Sequence, residues 1–164
     1  MAKAHKIIGV SPLRSYHENA RIILPQRLEE VYTWEPFIRD EARCKELHNM
    51  RISIKRLRYT MELFRLAYGL STVDNQYAEF LTVIVDLQEI LGDIHDADVV
   101  LEVLADYTSQ SGDRKRQVEV PSGVATLIAQ TKETRKADYE TFLEKWDQLS
   151  AAGFKQELLS FLLS

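Results

Sequence analysis

Apolar residues recur at every third or fourth position along nearly the whole chain, and no stretch alternates with a period of two. That spacing gathers them on one side of a helix and would scatter them over both faces of a strand, so the pattern predicts an all-α protein. The clearest stripe, Leu47, Met50, Ile54, Leu57, Met61, Phe64 and Tyr68, predicts a long helix over about 38–68 with those residues inward. Before it, Ile22, Ile23, Leu28, Val31 and Tyr32 mark a first helix from near Ser15 to about Trp34. Pro25 should kink or split that helix, because its ring removes a backbone donor and crowds the preceding turn. Pro36 marks the next break. Residues 1–13 read as an N-terminal tail, and 14–164 as a single helical domain.

After the long helix, the run from Gly69 to Asp74 supplies a stop and a new N-cap, and a third helix follows over about 74–91. Gly92 then permits a tight turn or a close helix approach, with Asp93 or Asp96 able to cap a further helix through Val99, Val100, Val103 and Leu104. Residues 108–123 are polar and carry Ser, Gly and Pro, the composition of a mobile loop, with the basic triplet Arg114, Lys115 and Arg116 inside it. A helix over about 124–149 should pack through Leu127, Ile128, Tyr139, Phe142, Leu143 and Trp146. Gly153 ends it, and Phe154 to Leu163 form a last short helix. The fold expected is an antiparallel bundle of five to six helices.

Composition narrows the class. With 164 residues, 45% hydrophobic and 28% charged, the chain has the make-up of one globular domain with a real core and no disordered tract. No apolar run approaches the roughly 18 residues of a membrane span. Cys44 is the one cysteine, which excludes an internal disulfide and a cysteine zinc cluster and fits a reducing, cytoplasmic setting. A formal net charge of -4 and a pI near 5.6 argue against a general nucleic-acid binder, so only local basic clusters carry information.

One such cluster lies on the 38–68 helix. His48, Arg51, Lys55 and Arg58 follow one another at i, i+3, i+7 and i+10, a row roughly 15 Å long on the side away from the apolar stripe. Like charges stacked along a helix repel, so the row calls for negative charge from elsewhere: acidic side chains of a neighbouring helix or an anionic ligand. Asp93, Asp96 and Asp98 are the internal candidates. Asp96 and Asp98 are read as structural, a helix cap and ion-pair partners for Arg51 or Arg58. Tyr59, on the basic side, is a candidate to line the site.

Together these stretches resemble the conserved histidine α-helical domain, or CHAD, family. Its motif of histidine, arginine three residues on and a basic run ending R-L-R-Y reads here as His48, Arg51, Lys55, Arg56, Arg58 and Tyr59. Its leucine-glycine pair followed by D-x-D-V reads as Leu91, Gly92, Asp96, Ala97, Asp98 and Val99, and its closing aromatic-x-x-x-Trp pattern as Phe142 to Trp146. The likeness covers roughly residues 25–163. It implies a helical-bundle fold and binding of inorganic polyphosphate on a basic surface through His48, Arg51, Lys55, Arg56 and Arg58, and it does not imply catalysis; the reading is a binding module that targets the protein to polyphosphate granules, with no cofactor expected. The family usually carries two such bundles in tandem, whereas this chain holds one histidine motif; either a homodimer rebuilds the pair or this is a half-domain with a shorter basic site.

A linear polyanion suits a row of cations, since Arg offers paired donors and Lys a compact charge. Lys132, Arg135 and Lys136, or the Arg114–Arg116 loop, are candidates to complete a trough. The alternative is a metal-dependent phosphohydrolase in which His48 and His95, with Asp96 and Asp98, form a two-histidine, carboxylate set if their helices pack antiparallel. That reading lacks a Gly-rich phosphate loop and an E-x-x-H helix. His48 is accordingly read as a donor to a carboxylate or phosphate, with no metal site assigned.

Overall fold

The computed structural model describes residues 5–68, 72–112 and 121–164, the side chains of 72–75 and 110–112 aside. The described residues form five α-helices and no strand: α1 (Tyr16–Tyr32), α2 (Cys44–Phe64), α3 (Thr72–Gly112), α4 (Ser122–Ala151) and α5 (Phe154–Leu163). Short 3₁₀ turns at Glu35–Phe37 and Arg65–Tyr68 flank α2. The basic triplet Arg114–Arg116 lies outside the described residues.

From α1 to α4 each helix packs antiparallel on the next, and α5, running on in the direction of α4 beyond Gly153, packs antiparallel to α1 and closes the ring. The pairings run in opposite directions. Tyr16 meets Leu63 and Glu30 meets Arg56 between α1 and α2; Cys44 meets Asp98 and His48 meets His95 between α2 and α3. Asp86 meets Lys145 and Asp98 meets Arg135 between α3 and α4, while Lys155 and the Leu163 carbonyl meet Glu29 and Arg21 between α5 and α1. The stripe of α2 fills the middle: Leu47, Met50, Ile54, Leu57, Met61, Phe64 and Tyr68 are all buried, against Leu24, Leu28, Ile84, Leu87, Leu91, Phe142, Trp146, Leu158 and Leu162.

Local chemistry explains the ends. Ser15 and Glu18 form a capping box, Ser15 Oγ accepting from the Glu18 amide and Glu18 Oε2 from the Ser15 amide, so α1 starts where expected. Gly153, at φ 73, supplies the left-handed residue between α4 and α5. Residues 8–11 lie back on α1, with the Ile8 backbone bonded to Gln26 and Ser11 to Asn19.

Four expectations need correction. The α1 helix is not split at Pro25; it continues to Tyr32, with Gln26 Nε2 donating to the Ile22 carbonyl 2.8 Å away. The second helix starts at Cys44 rather than near 38, because Asp40 Oδ1 accepts the Ala42 amide and holds a turn, and the Ile38 carbonyl accepts from Tyr139 Oη. There is no turn at Gly92, so neither Asp93 nor Asp96 caps a helix: α3 is one 41-residue helix. The buried run Tyr77, Phe80, Ile84, Leu87, Leu91 and Ile94 continues through the glycine, and its packing outweighs a propensity cost of about 1 kcal/mol. Finally, Leu127 is exposed; α4 buries Tyr139, Phe142 and Trp146 instead.

Candidate functional site

The cationic side of α2 lies along its seam with α3. Stepping down the seam, Cys44 is level with Asp98, His48 with His95, and Arg51 with Gly92. The two histidines are half-buried, with Nδ1 atoms 3.1 Å apart and rings stacked at a tilt, centroids 4.2 Å apart. At that distance one Nδ1 donates and the other accepts, so only one of the two carries a proton there. Burial, the facing His95 and the Arg51 guanidinium together hold the His48 pKa below its ordinary 6.5.

Arg51 crosses α3 where Gly92 has no side chain: a Cβ placed on Gly92 would stand 3.8 Å from Arg51 Nε. That Nε is buried and has no acceptor among the described residues. Lys55, one turn on, is exposed, and no carboxylate among the described residues pairs with it or with Arg51. Tyr59, also exposed, has Lys55 Nζ 5.7 Å and Arg58 Cζ 5.8 Å from its ring centroid, so both cations lie against its face. Arg58 is paired with Glu62 at 2.8 Å, an i, i+4 contact on the surface that holds its pKa up and that a stronger anion can replace.

The remaining cations are engaged elsewhere. Arg56 turns towards α1, its Nη1 2.6 Å from Oε1 of Glu30, whose other oxygen accepts from Arg27. Glu30 is only 2% exposed, so this is an internal bridge between α1 and α2. The pattern gave little warning of it; the sole hint is Arg27 three residues earlier. Arg135 sits at the far end of the row, its Nε 2.5 Å from Asp98 and an Nη on the Glu41 carbonyl. Asp98 therefore serves α4, not Arg51 or Arg58 as expected. Asp96 is exposed on α3, and Asp93 lies near enough to Asp138 to raise its pKa, after desolvation. Lys132 is exposed, and Lys136 is exposed beside Glu140.

The expected proximity of His48 and His95 is thus present, but no group of three His, Cys, Asp or Glu side chains among the described residues converges as a metal site. No described helix is long and apolar enough to cross a membrane. What the seam offers chemically is a linear set of donors: a histidine pair, a guanidinium with an unanswered buried nitrogen, and an exposed ammonium and guanidinium on a tyrosine.

A family model described as the CHAD domain matches residues 10–105, more than half of the chain, from the start of α1 through most of α3. The basic row and the D-x-D-V signature fall inside that span, and the Phe142 to Trp146 pattern outside it. No curated protein and no solved structure gives a match.

Proposed function

This chain belongs to the CHAD domain family, and from that membership we propose that it is a binding module for inorganic polyphosphate, held along the α2 row and serving to bring the protein to polyphosphate granules. CHAD domains in general bind polyphosphate, and the family is not clearly catalytic. The observation that carries the reading is Arg51: a guanidinium whose buried Nε has no acceptor among the described residues, between a histidine pair and a lysine that no described carboxylate pairs. A buried donor without an acceptor costs about 1–3 kcal/mol, and a phosphoryl oxygen laid in the seam would answer it.

The roles divide by what each side chain already holds. Arg51 and Lys55 supply the uncommitted charge, His48 a donor that gains strength on protonation, and Arg58 a charge that exchanges Glu62 for phosphate. Arg56, bonded to the buried Glu30, contributes its field more than its donors. Arg135 holds the Asp98 end of the seam, and Lys132 and Lys136 are outlying contacts for a long chain.

The test removes Arg51, Lys55 and Arg58 together by alanine. None of the three belongs to the buried stripe, so the far-UV dichroism and melting should stay near the parent's, while affinity for long-chain polyphosphate, measured by calorimetry, falls at least tenfold. Single replacements should give smaller, graded losses, because a flexible polyanion slides to the charges that remain. A folded triple variant that binds as tightly as the parent would sink the assignment of this face.

A further inference from the structure

Above Asp98 the bundle thins to two helices. Asp98 is level with Cys44, where α2 begins, so α3 from Val99 onward and the first half of α4 run past α2 as an antiparallel hairpin. Among the described residues the Glu41–Cys44 turn alone flanks its base, where Arg135 bonds the Glu41 carbonyl. No described side chain in 99–109 or 121–138 is fully buried. The Asp86–Lys145 and Asp98–Arg135 pairs set the register, which puts Leu104 opposite Ile128 and Thr108 opposite Val124. Even these seam residues are only half-buried.

The outer face of the hairpin changes character at the same level. Lower on α3 it reads Glu89, Asp93 and Asp96, all exposed. Higher up, the same side reads Val100, Val103 and Tyr107, exposed by 40%, 61% and 51%. Spaced i, i+3, i+7, they form a second apolar stripe about 100° round the helix from the seam residues. Leu127, 45% exposed, falls on the same side of α4, since residues displaced from the seam in the same sense share a face in an antiparallel pair. Acids clothe this face where the bundle supports it, and apolar side chains where it does not.

We propose that this outer face of the α3–α4 hairpin is the docking surface for a second copy of the same chain, two hairpins completing a four-helix tip across a two-fold axis. The stripe carries no charge for an acidic or basic partner to answer, and a copy presents the same apolar strip, as an isologous contact requires. Two mated hairpins also supply the third and fourth helices that the tip lacks. The projecting part is roughly 20 Å long, and with helix axes about 10 Å apart its face measures roughly 400 Å² in projection. A standard interface buries about 800 Å² per partner, so the contact is a small, weak one and the dimer dissociates on dilution.

Sedimentation velocity without polyphosphate, over about 5–500 µM, tests this independently of the proposed ligand. The weight-average mass should climb from the 19.0 kDa of one chain towards twice that value. Val103→Glu and Leu127→Glu should each raise the midpoint concentration at least tenfold without lowering helicity or melting temperature, since both side chains are already exposed. Ala129→Glu, on the opposite side of the hairpin, should leave association unchanged. A chain that stays monomeric throughout overturns the proposal. So does association indifferent to Val103→Glu and Leu127→Glu, or equally weakened by Ala129→Glu.

Discussion

His48 shows how much one side chain's surroundings decide. Burial disfavours its charged form, and protonation would set a second positive charge beside His95 and Arg51, which is why its pKa lies below 6.5. The unfolded chain therefore binds that proton more readily than the folded one. Stability from this group is intact above pH 6.5, falls as the pH drops through that value, and levels off once the folded pKa is passed. Thermal melts from pH 8 to 5 should show the parent losing more than a His48→Gln variant; parallel curves would mean the pair is not proton-linked to folding. Glu30 makes the opposite case. It accepts from Arg27 and Arg56 in a site 2% exposed, and Glu30→Ala should cost about 3 kcal/mol in urea unfolding, the scale for breaking a buried ion pair. A cost below about 0.5 kcal/mol would place Glu30 with ordinary surface carboxylates. The inward Leu57 and outward Lys55 were legible from spacing alone. The Glu30–Arg56 and Asp98–Arg135 pairs were not, because each joins residues whose nearness depends on how helices pack.

At the scale of elements, the helical phase of α2 and the capping box of α1 could be read directly, since both are set by residues within a turn or two of one another. Gly92 could not. Its local signal, a glycine followed by aspartates, is that of a helix end, yet the apolar heptad on either side carries α3 straight through. The glycine's place is set by tertiary contact: Arg51 passes over it. A methyl group fits there at ordinary van der Waals distance, so Gly92→Ala should stabilise the protein by about 0.8–1 kcal/mol, raising the melting temperature by about 2–4 °C, through helix propensity alone. Polyphosphate affinity should hardly change. Gly92→Leu has no such room, and it should displace the Arg51 guanidinium and weaken binding while leaving the fold in place. If both variants melt lower and bind alike, Arg51 does not lie on this glycine as described.

The whole molecule poses an electrostatic question, because a chain of net charge -4 is proposed to hold a polyanion. The all-helical class was plain from periodicity, but the closing of the bundle by α4 and α5 in line against α3 and α1, and with it the placing of the α2 row on the α3 seam, came from packing. In that arrangement the cations share one seam, while Asp93 and Asp96 lie on the outer face of α3 and Glu89 alone of these three acts on Arg58. At physiological salt, fields fade over about 8 Å, so a bound chain feels the row and little of the remoter acids. If about four phosphate charges are neutralised, single-strand behaviour gives a log–log slope near -3, and affinity should drop roughly 50-fold between 50 and 200 mM salt. The triple replacement of Arg51, Lys55 and Arg58 should flatten the slope by about 2. Below about 10 mM the screening length grows to about 30 Å, enough to take in the molecule's net negative charge. Affinity should then stop rising, and bend over, as salt is lowered further. Calorimetric titrations across this range distinguish the cases: a line that stays straight to the lowest salt would mean the surrounding acids do not oppose binding, and a slope near zero would mean that charge on this face does not hold the ligand.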